Sequence, residues 1–165
     1  MNIMSASTLY LVCGLPGAGK TTRSNAIVET AGAVHLCADE WVVGLGLSLV
    51  DYEFRIKLQD CMLTHAGKLL RCGVSVVIEF GSWHRQERET IRQMAVSAGA
   101  RAELHFLDAP LDELVRRVRQ RAGPDAEILA SSVLMQDAGK FEKPTSEEAA
   151  LFDSYFGPET PWRTG

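Results

Sequence analysis

The segment GLPGAGKTT, at residues 14–22, constrains the fold of this chain more than any other part of its sequence. It matches the pattern G-x-x-x-x-G-K-[ST] and directly follows the apolar run TLYLVC at 8–13. The next segment, KTTRSNAIVETAG at 20–32, is typical of a helix that ends at Gly32. A strand, a glycine-rich loop and a helix in this order hold phosphate groups, because loop N–H groups and the helix dipole point at one place. The alternative is an ordinary glycine-rich turn before a helix.

The loop predicts a nucleotide site with distinct tasks for its residues. Lys20 is expected to reach the β- and γ-phosphates, and the Thr21 hydroxyl to coordinate a bridging Mg²⁺. The residues expected to bind the nucleotide are Gly14, Leu15, Pro16, Gly17, Ala18, Gly19, Lys20, Thr21 and Thr22. The sequence contains no N-K-x-D segment for guanine, and its length is short for an oligomeric motor ATPase. These features favour a phosphotransferase.

The composition predicts one soluble globular domain over residues 1–165. The chain is 46% hydrophobic and 23% charged, close to the average for such proteins. The net charge of -4 disfavours a nucleic-acid partner, because such a surface needs clustered Lys and Arg. No apolar run approaches the ~20 residues that span a bilayer, so we expect no membrane association. The oligomeric state has no signal in the sequence.

The cysteines and the N-terminal residues predict a cytoplasmic protein with free thiols. Cys13, Cys37, Cys61 and Cys72 form no C-x-x-C pair. The first residues, MNIMSASTLYLV, lack the basic start and the long apolar run of a signal peptide.

Strands and helices are predicted to alternate along most of the chain. Predicted strands lie at 33–37, 74–80 and 101–110, and predicted helices at 51–73, 84–100 and 111–123. This alternation predicts an α/β fold with a mainly parallel sheet covered by helices on both faces. In the remainder, the segments DAEILASSVLMQDAG and SEEAALFDSYF are predicted helical, and no fifth strand is legible. We therefore expect a C-terminal helical segment at about 126–165.

Two acidic residues follow predicted strands, at the sheet edge where ligands of open α/β folds bind. Asp39, in CADEW, is expected to accept the proton of an acceptor hydroxyl or to orient that hydroxyl. Its alternative is the N-cap of a helix that begins near Trp41, and Glu40 competes for the catalytic role. Glu79 ends the most apolar strand and is predicted to hold a water bound to Mg²⁺. Its alternative is a strand-end acid hydrogen-bonded to loop amides.

The basic segment RRVRQR supplies candidate ligands for the nucleotide phosphates. Arg117 and Arg121 are four residues apart and share a helix face, so both guanidiniums can bind the triphosphate. We expect them to act with Lys20 and Asp39 in catalysis. The alternative is a solvated helix whose charge is balanced by Asp112 and Glu113.

Residues near the same sheet edge are candidates for contacts with the acceptor. Besides Asp39, they are Trp41, Arg55, Trp83, Arg85 and Arg88. The segment SWHRQER contains three of them, and His84 in it is a weaker candidate for a general base. Tyr52 and Phe54 are candidates for the same wall of the site as Trp41 and Arg55, and they are equally consistent with core positions in the long helix.

Taken together, the motifs resemble those of P-loop small-molecule kinases of the AAA-33 or zeta-toxin-like group, relatives of chloramphenicol phosphotransferase and of the polynucleotide kinase domain. The similar segments are GLPGAGKTT, ADEW, VVIEFGSWHRQER, LDAPLDELVRRVRQR and FEKPTSEE, in the order of the group, over roughly 8–150. The resemblance implies a three-layer αβα P-loop fold with five strands in the order 2-3-1-4-5. It also implies ATP-Mg²⁺ as donor, Asp39 as base, a lid at about 111–125 with Arg117 and Arg121, and FEKPT near the nucleotide. Glu79 stands where many relatives carry Asp.

These observations predict an ATP-dependent kinase that phosphorylates a hydroxyl group of a small molecule such as an antibiotic, a nucleoside or a sugar. Two alternatives stay open. One is phosphorylation of a 5′-hydroxyl on RNA or DNA, which the resemblance permits and the acidic charge disfavours. The other is a regulatory module that binds ATP without an acceptor.

Overall fold

Five strands form one parallel sheet in the computed structural model, which describes residues 6–121, 123–160 and 162. The strands are β1 Thr8–Cys13, β2 Val34–Cys37, β3 Val76–Gly81, β4 Arg101–Phe106 and β5 Ser154–Phe156. Their order across the sheet is β2-β3-β1-β4-β5, and every neighbouring pair is parallel. The predicted order 2-3-1-4-5 is confirmed.

Helices connect the strands. The five longer helices are α1 Lys20–Ala31, α2 Ala38–Gly44, α3 Tyr52–Arg71, α4 Arg85–Ser97 and α5 Leu111–Gln120. The shorter helical segments after them are α6 Ala126–Ile128, a π-helix over Leu129–Leu134, a 3-10 turn over Ala138–Lys140 and α7 Ser146–Ala149. Within the described ranges, no helix combines the length and the apolar character needed to cross a membrane.

Two buried clusters lie on opposite faces of the sheet and give the fold three layers. Consecutive strand residues point to opposite faces, so Leu11 belongs to the larger cluster and Val12 to the smaller one. The larger cluster includes Met62 of α3 and Ile91 of α4, whereas the smaller one includes Ile27 of α1. The central strand β3 is buried along its whole length, as expected for a parallel strand covered on both faces.

Helix ends follow local signals in the sequence. Gly32 ends α1 with a left-handed φ of 63°, and its N–H donates to the Val28 carbonyl. The Asp51 carboxylate caps α3 by accepting a hydrogen bond of 3.1 Å from the Phe54 N–H. Gly32 thus marks the end of α1, and Asp51 marks the start of α3.

The predicted helix over SEEAALFDSYF is wrong over its second half. Only Ser146–Ala149 is helical, and Ser154–Phe156 forms the edge strand β5. Asp153 directs this change, because its N–H donates to the Ala102 carbonyl at 2.9 Å while its carboxylate accepts from the Ala102 N–H at 2.8 Å. The pairing with β4 is remote in sequence, so local helical preference did not reveal it. The fifth strand that the resemblance implied is therefore present.

Candidate active site

The loop between β1 and α1 packs closely against α5. Gly17 has a φ of 84°, a backbone conformation that side chains rarely adopt. A Cβ added to Gly17 would lie 2.9 Å from the Leu114 carbonyl oxygen and 3.2 Å from Val118 Cγ2. A glycine is thus needed here both for the turn and for the close approach of α5.

Lys20, the first residue of α1, is surrounded by charged groups. Its Nζ donates a 3.0 Å hydrogen bond to the Leu15 carbonyl oxygen. Burial lowers the pKa of the Lys20 ammonium, the carboxylates of Asp39 and Glu79 oppose this change, and Arg121 adds to it. The predicted loop lysine, two acids and one arginine are therefore neighbours in space.

Glu79 connects the end of β3 to α1 and β2. Thr21 Oγ1 donates a 2.8 Å hydrogen bond to Glu79 Oε1, and His35 Nε2 lies 2.9 Å from Glu79 Oε2. Burial raises the pKa of the Glu79 carboxyl, but the hydrogen bonds with His35 and Thr21 outweigh it and leave the pKa below its usual value. Glu79 is therefore ionised at neutral pH although it is 6% exposed.

The oxygen donors of Thr21 and Glu79 suit Mg²⁺, the metal that the resemblance implied. Magnesium takes oxygen ligands and is commonly bound through one or two carboxylates together with substrate phosphates. The 2.8 Å contact brings a hydroxyl and a carboxylate together beside the phosphate loop. The donor chemistry of this chain thus fits the metal.

Asp39 forms an ion pair at the mouth of the same cleft. Its Oδ1 lies 2.6 Å from Arg55 Nη2, and the Asp39 side chain is half-exposed. Arg55 Nη2 also donates to the Phe80 carbonyl oxygen at 3.3 Å, beside a second donor, Gln59 Nε2, at 3.2 Å. Helix α3 therefore holds Asp39 against the end of β3.

The alternative role of Asp39 as a helix N-cap is wrong. Helix α2 begins at Ala38, and Cys37 occupies the N-cap position. Asp39 instead lies in the first turn, where a carboxylate is favoured by the helix dipole. Its side chain is left to face the cleft and Arg55.

The arginines of α5 divide between the loop and solvent. Arg117 Nη1 donates to the Gly17 carbonyl oxygen at 3.2 Å, and its Nε donates to Glu113 Oε1 at 2.6 Å. Arg121 follows α5 and lines the cleft. Arg116 also pairs with Glu113, and Arg119 pairs with the exposed Glu127. The predicted pair Arg117 and Arg121 is therefore the pair that faces the phosphate loop.

Lys20, Asp39, Glu79 and Arg121 all line one cleft of about 710 Å³. The predicted site residues that line it are Gly14, Pro16, Lys20, Thr21, Asp39, Arg55, Glu79, Trp83 and Arg121. Sequence reasoning missed His35 and Gln59. His35 contacts Glu79, whereas Gln59 donates to the Phe80 carbonyl oxygen that also accepts from Arg55. The signal for His35 was present, since it stands two residues before Cys37 on a predicted strand and therefore shares its face.

Three predicted acceptor contacts do not fall in this cleft. Trp41 and Arg85 are exposed outside its lining. Arg88 is 0% exposed, and both Nε and Nη2 donate to the Glu148 carboxylate, at 2.6 and 2.9 Å. A guanidinium satisfied in this way ties α4 to α7, so the assignment of Arg88 to the acceptor is corrected.

A second hollow of about 570 Å³ lies beside the phosphate loop. Leu15 and Leu114 form its inner wall, and Asp108, Lys143 and Pro158 contribute to its rim. Lys143 Nζ lies 2.5 Å from Asp108 Oδ2 across that rim. This ion pair joins the predicted FEKPT segment to the loop that follows β4.

The phosphate loop, its lysine and the threonine–glutamate contact at the carboxyl edge of a 2-3-1-4-5 parallel sheet define a kinase-like P-loop fold. The chain belongs to the AAA_33 family, described as an AAA domain, which matches residues 9–144.

Three of the similar proteins carry kinase names. The chain is 28% identical to an adenylyl-sulfate kinase of Myxococcus xanthus (strain DK1622) over 166 residues, covering 95% of this chain and 80% of that protein. Among solved structures, the APS kinase CysC of Mycobacterium tuberculosis in complex with AMPPNP and APS aligns with a TM-score of 0.67 and 20% identity, over 93% of this chain and 90% of that one. A sugar kinase from Janibacter sp. HTCC2649 aligns with a TM-score of 0.64 and 19% identity, over 92% and 84%.

Proposed function

We propose that this protein is an ATP-dependent kinase that transfers the γ-phosphoryl group to a hydroxyl group of a small molecule. The observation that carries the proposal is the meeting of Lys20, the Thr21–Glu79 pair and the Asp39–Arg55 pair in one cleft. Phosphoryl transfer needs a cationic phosphate site, a metal site and an acceptor-side acid, and this cleft supplies one candidate for each. The adenylyl-sulfate kinase relative supports the same reaction class.

The loop and α5 form the proposed triphosphate site. Lys20 exchanges its hydrogen bond with the Leu15 carbonyl for one with a phosphate oxygen, at little cost because the donor is already aimed into the loop. Arg117 and Arg121 bind the phosphates from the side of α5, which with the residues up to 125 acts as the lid. The 570 Å³ hollow next to Leu15 is the proposed binding site for the adenine ring of ATP.

Thr21 and Glu79 would hold Mg²⁺, which when bound neutralises charge on the β- and γ-phosphates. The Thr21 hydroxyl donates its proton to Glu79, which leaves the lone pairs of Thr21 Oγ1 free, so this oxygen and the ionised carboxylate would both be available as ligands. The contact with His35 holds the second oxygen of Glu79 in place.

Asp39 is the proposed acceptor-side acid. It accepts the proton of the acceptor hydroxyl, or orients that hydroxyl, as the oxygen forms a bond to the γ-phosphorus and the bond from that phosphorus to the β-bridging oxygen breaks. Arg55 fixes the carboxylate through the 2.6 Å contact. Preorganised placement of this kind supplies much of the rate in phosphoryl transfer.

The experiment is a transfer screen with γ-labelled ATP and Mg²⁺. The pools are hydroxyl-bearing antibiotics, nucleosides, sugars, adenylyl-sulfate and 5′-hydroxyl oligonucleotides. Wild type is compared with Asp39→Asn and with the matched control Asp60→Asn, whose side chain is exposed on α3. We expect label in one small-molecule pool with wild type and the control, and a loss of at least about 100-fold with Asp39→Asn. Label only on oligonucleotides, or equal transfer by Asp39→Asn, would overturn the proposal.

A further inference from the structure

Three metal-ligating side chains converge at the sheet edge between β2 and β3. They are His35, Cys37 and Glu79, and one donor atom from each lies within 4.8 Å of the other two. Cys37 pairs with Glu79 in the parallel register of the two strands. His35 stands two residues before Cys37 and so points to the same face of the sheet. The backbone of two rigid strands therefore places all three donors.

The three side chains are shielded from solvent. His35 is 13% exposed, Glu79 6% and Cys37 3%. Buried polar groups at such positions need partners, and the contact of 2.9 Å from His35 to Glu79 supplies one for each of these two residues. The Cys37 thiol lies beside this pair and stays protonated, because burial raises its pKa to about 12. The cluster is thus a built pocket of donors rather than a chance grouping of surface side chains.

The donor set matches a different metal from the one expected at the phosphate loop. Thiolate, imidazole and carboxylate together are ligands of Zn²⁺ and related thiophilic cations, whereas Mg²⁺ selects oxygen. Zinc bonds of about 2.0–2.3 Å in a tetrahedron put ligand atoms roughly 3.5 Å apart. The distances within 4.8 Å therefore need only side-chain adjustments to close around one ion.

We propose that His35, Cys37 and Glu79 form a binding site for Zn²⁺ or another thiophilic divalent cation. Imidazole Nε2, the thiolate and one carboxylate oxygen bind the ion, and water fills the fourth position. Binding converts the thiol to a thiolate and releases its proton to the solvent. Glu79 lines the open cleft, which provides the path of entry.

Sharing Glu79 has a regulatory consequence, which rests on the kinase proposed above. Thr21 contacts Oε1 of Glu79 and His35 contacts Oε2, so a zinc ion on the His35 side would draw negative charge from the same carboxylate that serves Mg²⁺ beside Thr21. Zinc binding therefore weakens Mg²⁺ binding at the phosphate loop and inhibits the kinase. The metal site itself stands without this consequence, because its three donors do not depend on the reaction.

The first test is titration of the metal-free protein with Co²⁺, a spectroscopic substitute for Zn²⁺. Wild type, Cys37→Ser and the matched control Cys61→Ser, whose cysteine is exposed on α3, are compared. We expect one bound Co²⁺ and a sulfur-to-cobalt charge-transfer band in wild type and Cys61→Ser. Added Zn²⁺ should remove the band. In Cys37→Ser the band should vanish and the affinity should fall at least about tenfold.

A second variant guards against a folding artefact. His35→Gln keeps the thiol, so it should retain a charge-transfer band but bind Co²⁺ at least about tenfold more weakly. Circular dichroism and the Tm of each metal-free variant confirm that the fold is kept. A band that persists in Cys37→Ser at wild-type affinity, or a wild type that binds no Co²⁺, would overturn the metal site.

The inhibitory consequence has its own readout. With an acceptor from the transfer screen, Zn²⁺ should inhibit wild type at least about tenfold more strongly than Cys37→Ser, each relative to its own zinc-free rate. If the screen yields no transfer, the kinase proposal fails while the cobalt band still decides the metal site. Equal zinc inhibition of the two proteins would overturn the link between the site and the kinase.

Discussion

Asp39 at the start of α2 and Arg55 in the first turns of α3 form an ion pair with 2.6 Å between Oδ1 and Nη2. The pair joins two helices that both begin beside the carboxyl edge of the sheet, and the Phe80 carbonyl holds Arg55 from the end of β3. A carboxylate fixed in this way needs no reorientation before it contacts a substrate hydroxyl, because Arg55 already sets its position.

Replacing Arg55 should slow the proposed transfer without abolishing nucleotide binding. In Arg55→Gln, Asp39 loses its partner, so we expect kcat to fall about 10- to 100-fold, within the range that general-base positioning contributes. The Kd for ATP should change less than about threefold, since Arg55 does not contact the loop. Steady-state kinetics and calorimetry measure the two quantities. Lys57→Gln, two residues further along α3 and exposed, is the control, and an equal fall in both variants would contradict the role of the pair.

Thr21→Val should raise the Mg²⁺ requirement of the proposed reaction. The change removes both the hydroxyl ligand and the 2.8 Å hydrogen bond to Glu79, while the shape of the side chain is kept. We expect the Mg²⁺ concentration for half-maximal rate to rise at least about tenfold. Thr64→Val, which removes an exposed hydroxyl bonded to the Asp60 carbonyl, should leave the requirement unchanged. An unchanged Mg²⁺ dependence in Thr21→Val would remove Thr21 from the metal site.

Gly17→Ala should weaken nucleotide binding through the backbone of the loop. The added Cβ meets the Leu114 carbonyl at 2.9 Å at a φ of 84°, so either the loop or α5 must shift. We expect a loss of about 1–3 kcal/mol of stability from the strained residue and at least about tenfold weaker ATP binding. Gly44→Ala at the end of α2, where a Cβ meets no atom within 4 Å, is the matched control. Equal ATP affinities of the two variants in isothermal titration calorimetry would contradict this role of Gly17.

Arg88 and Glu148 should be strongly coupled in folding. The pair is buried and bidentate, so Arg88→Met or Glu148→Leu alone leaves an uncompensated buried charge and should cost about 3–5 kcal/mol. The double variant should cost much less than the sum of the two. Urea unfolding of the four proteins gives the coupling energy. Additive losses would show that the two side chains stabilise the fold independently.

Stability should fall as the pH drops below about 6.5, the usual His value, because of His105. This fully buried ring lies 3.1 Å from Arg23 and stacks on Phe156, and burial above all lowers its pKa. Between the two pKa values, His105 is protonated in the unfolded chain but neutral in the folded chain. The free energy of unfolding therefore decreases as the pH falls from the unfolded pKa of His105 to its lower folded pKa. The slope reaches about 1.4 kcal/mol per pH unit for one proton.

Variants separate this effect from other titrating groups. In His105→Gln, the slope of Tm or of the unfolding free energy between pH 5 and 7, roughly the window in which His titrates, should be flatter than in wild type. The control His65→Gln changes an exposed ring on α3 and should keep the wild-type slope. A wild-type slope in His105→Gln would assign the acid sensitivity elsewhere.

Several features were legible because their cause is local. The loop from Gly14 to Thr22, the alternation of strands and helices, and the acids Asp39 and Glu79 at strand ends could all be predicted from short segments. Short motifs carry this information because a phosphate loop, a helix end and a buried strand each impose their residue types within a few positions.

Other features depended on contacts between distant segments. The strand β5 forms because Asp153 pairs with Ala102, some fifty positions earlier in the chain, which outweighs the helical preference of its neighbours. Arg88 resembles a surface arginine until Glu148 is placed beside it, a separation of 60 residues. His35 and Cys37 acquire a shared partner only when β2 lies next to β3.

The sequence by itself therefore determined the fold class and the strand and helix types over most of the chain, and it supplied the candidate side chains for a phosphate site. Only the tertiary structure decided which charges meet: Asp39 with Arg55, Thr21 and His35 with Glu79, and Arg88 with Glu148. The physical reason is that backbone preference acts over a few residues, whereas electrostatic contacts and sheet pairing depend on distance in space, which the order of residues does not specify.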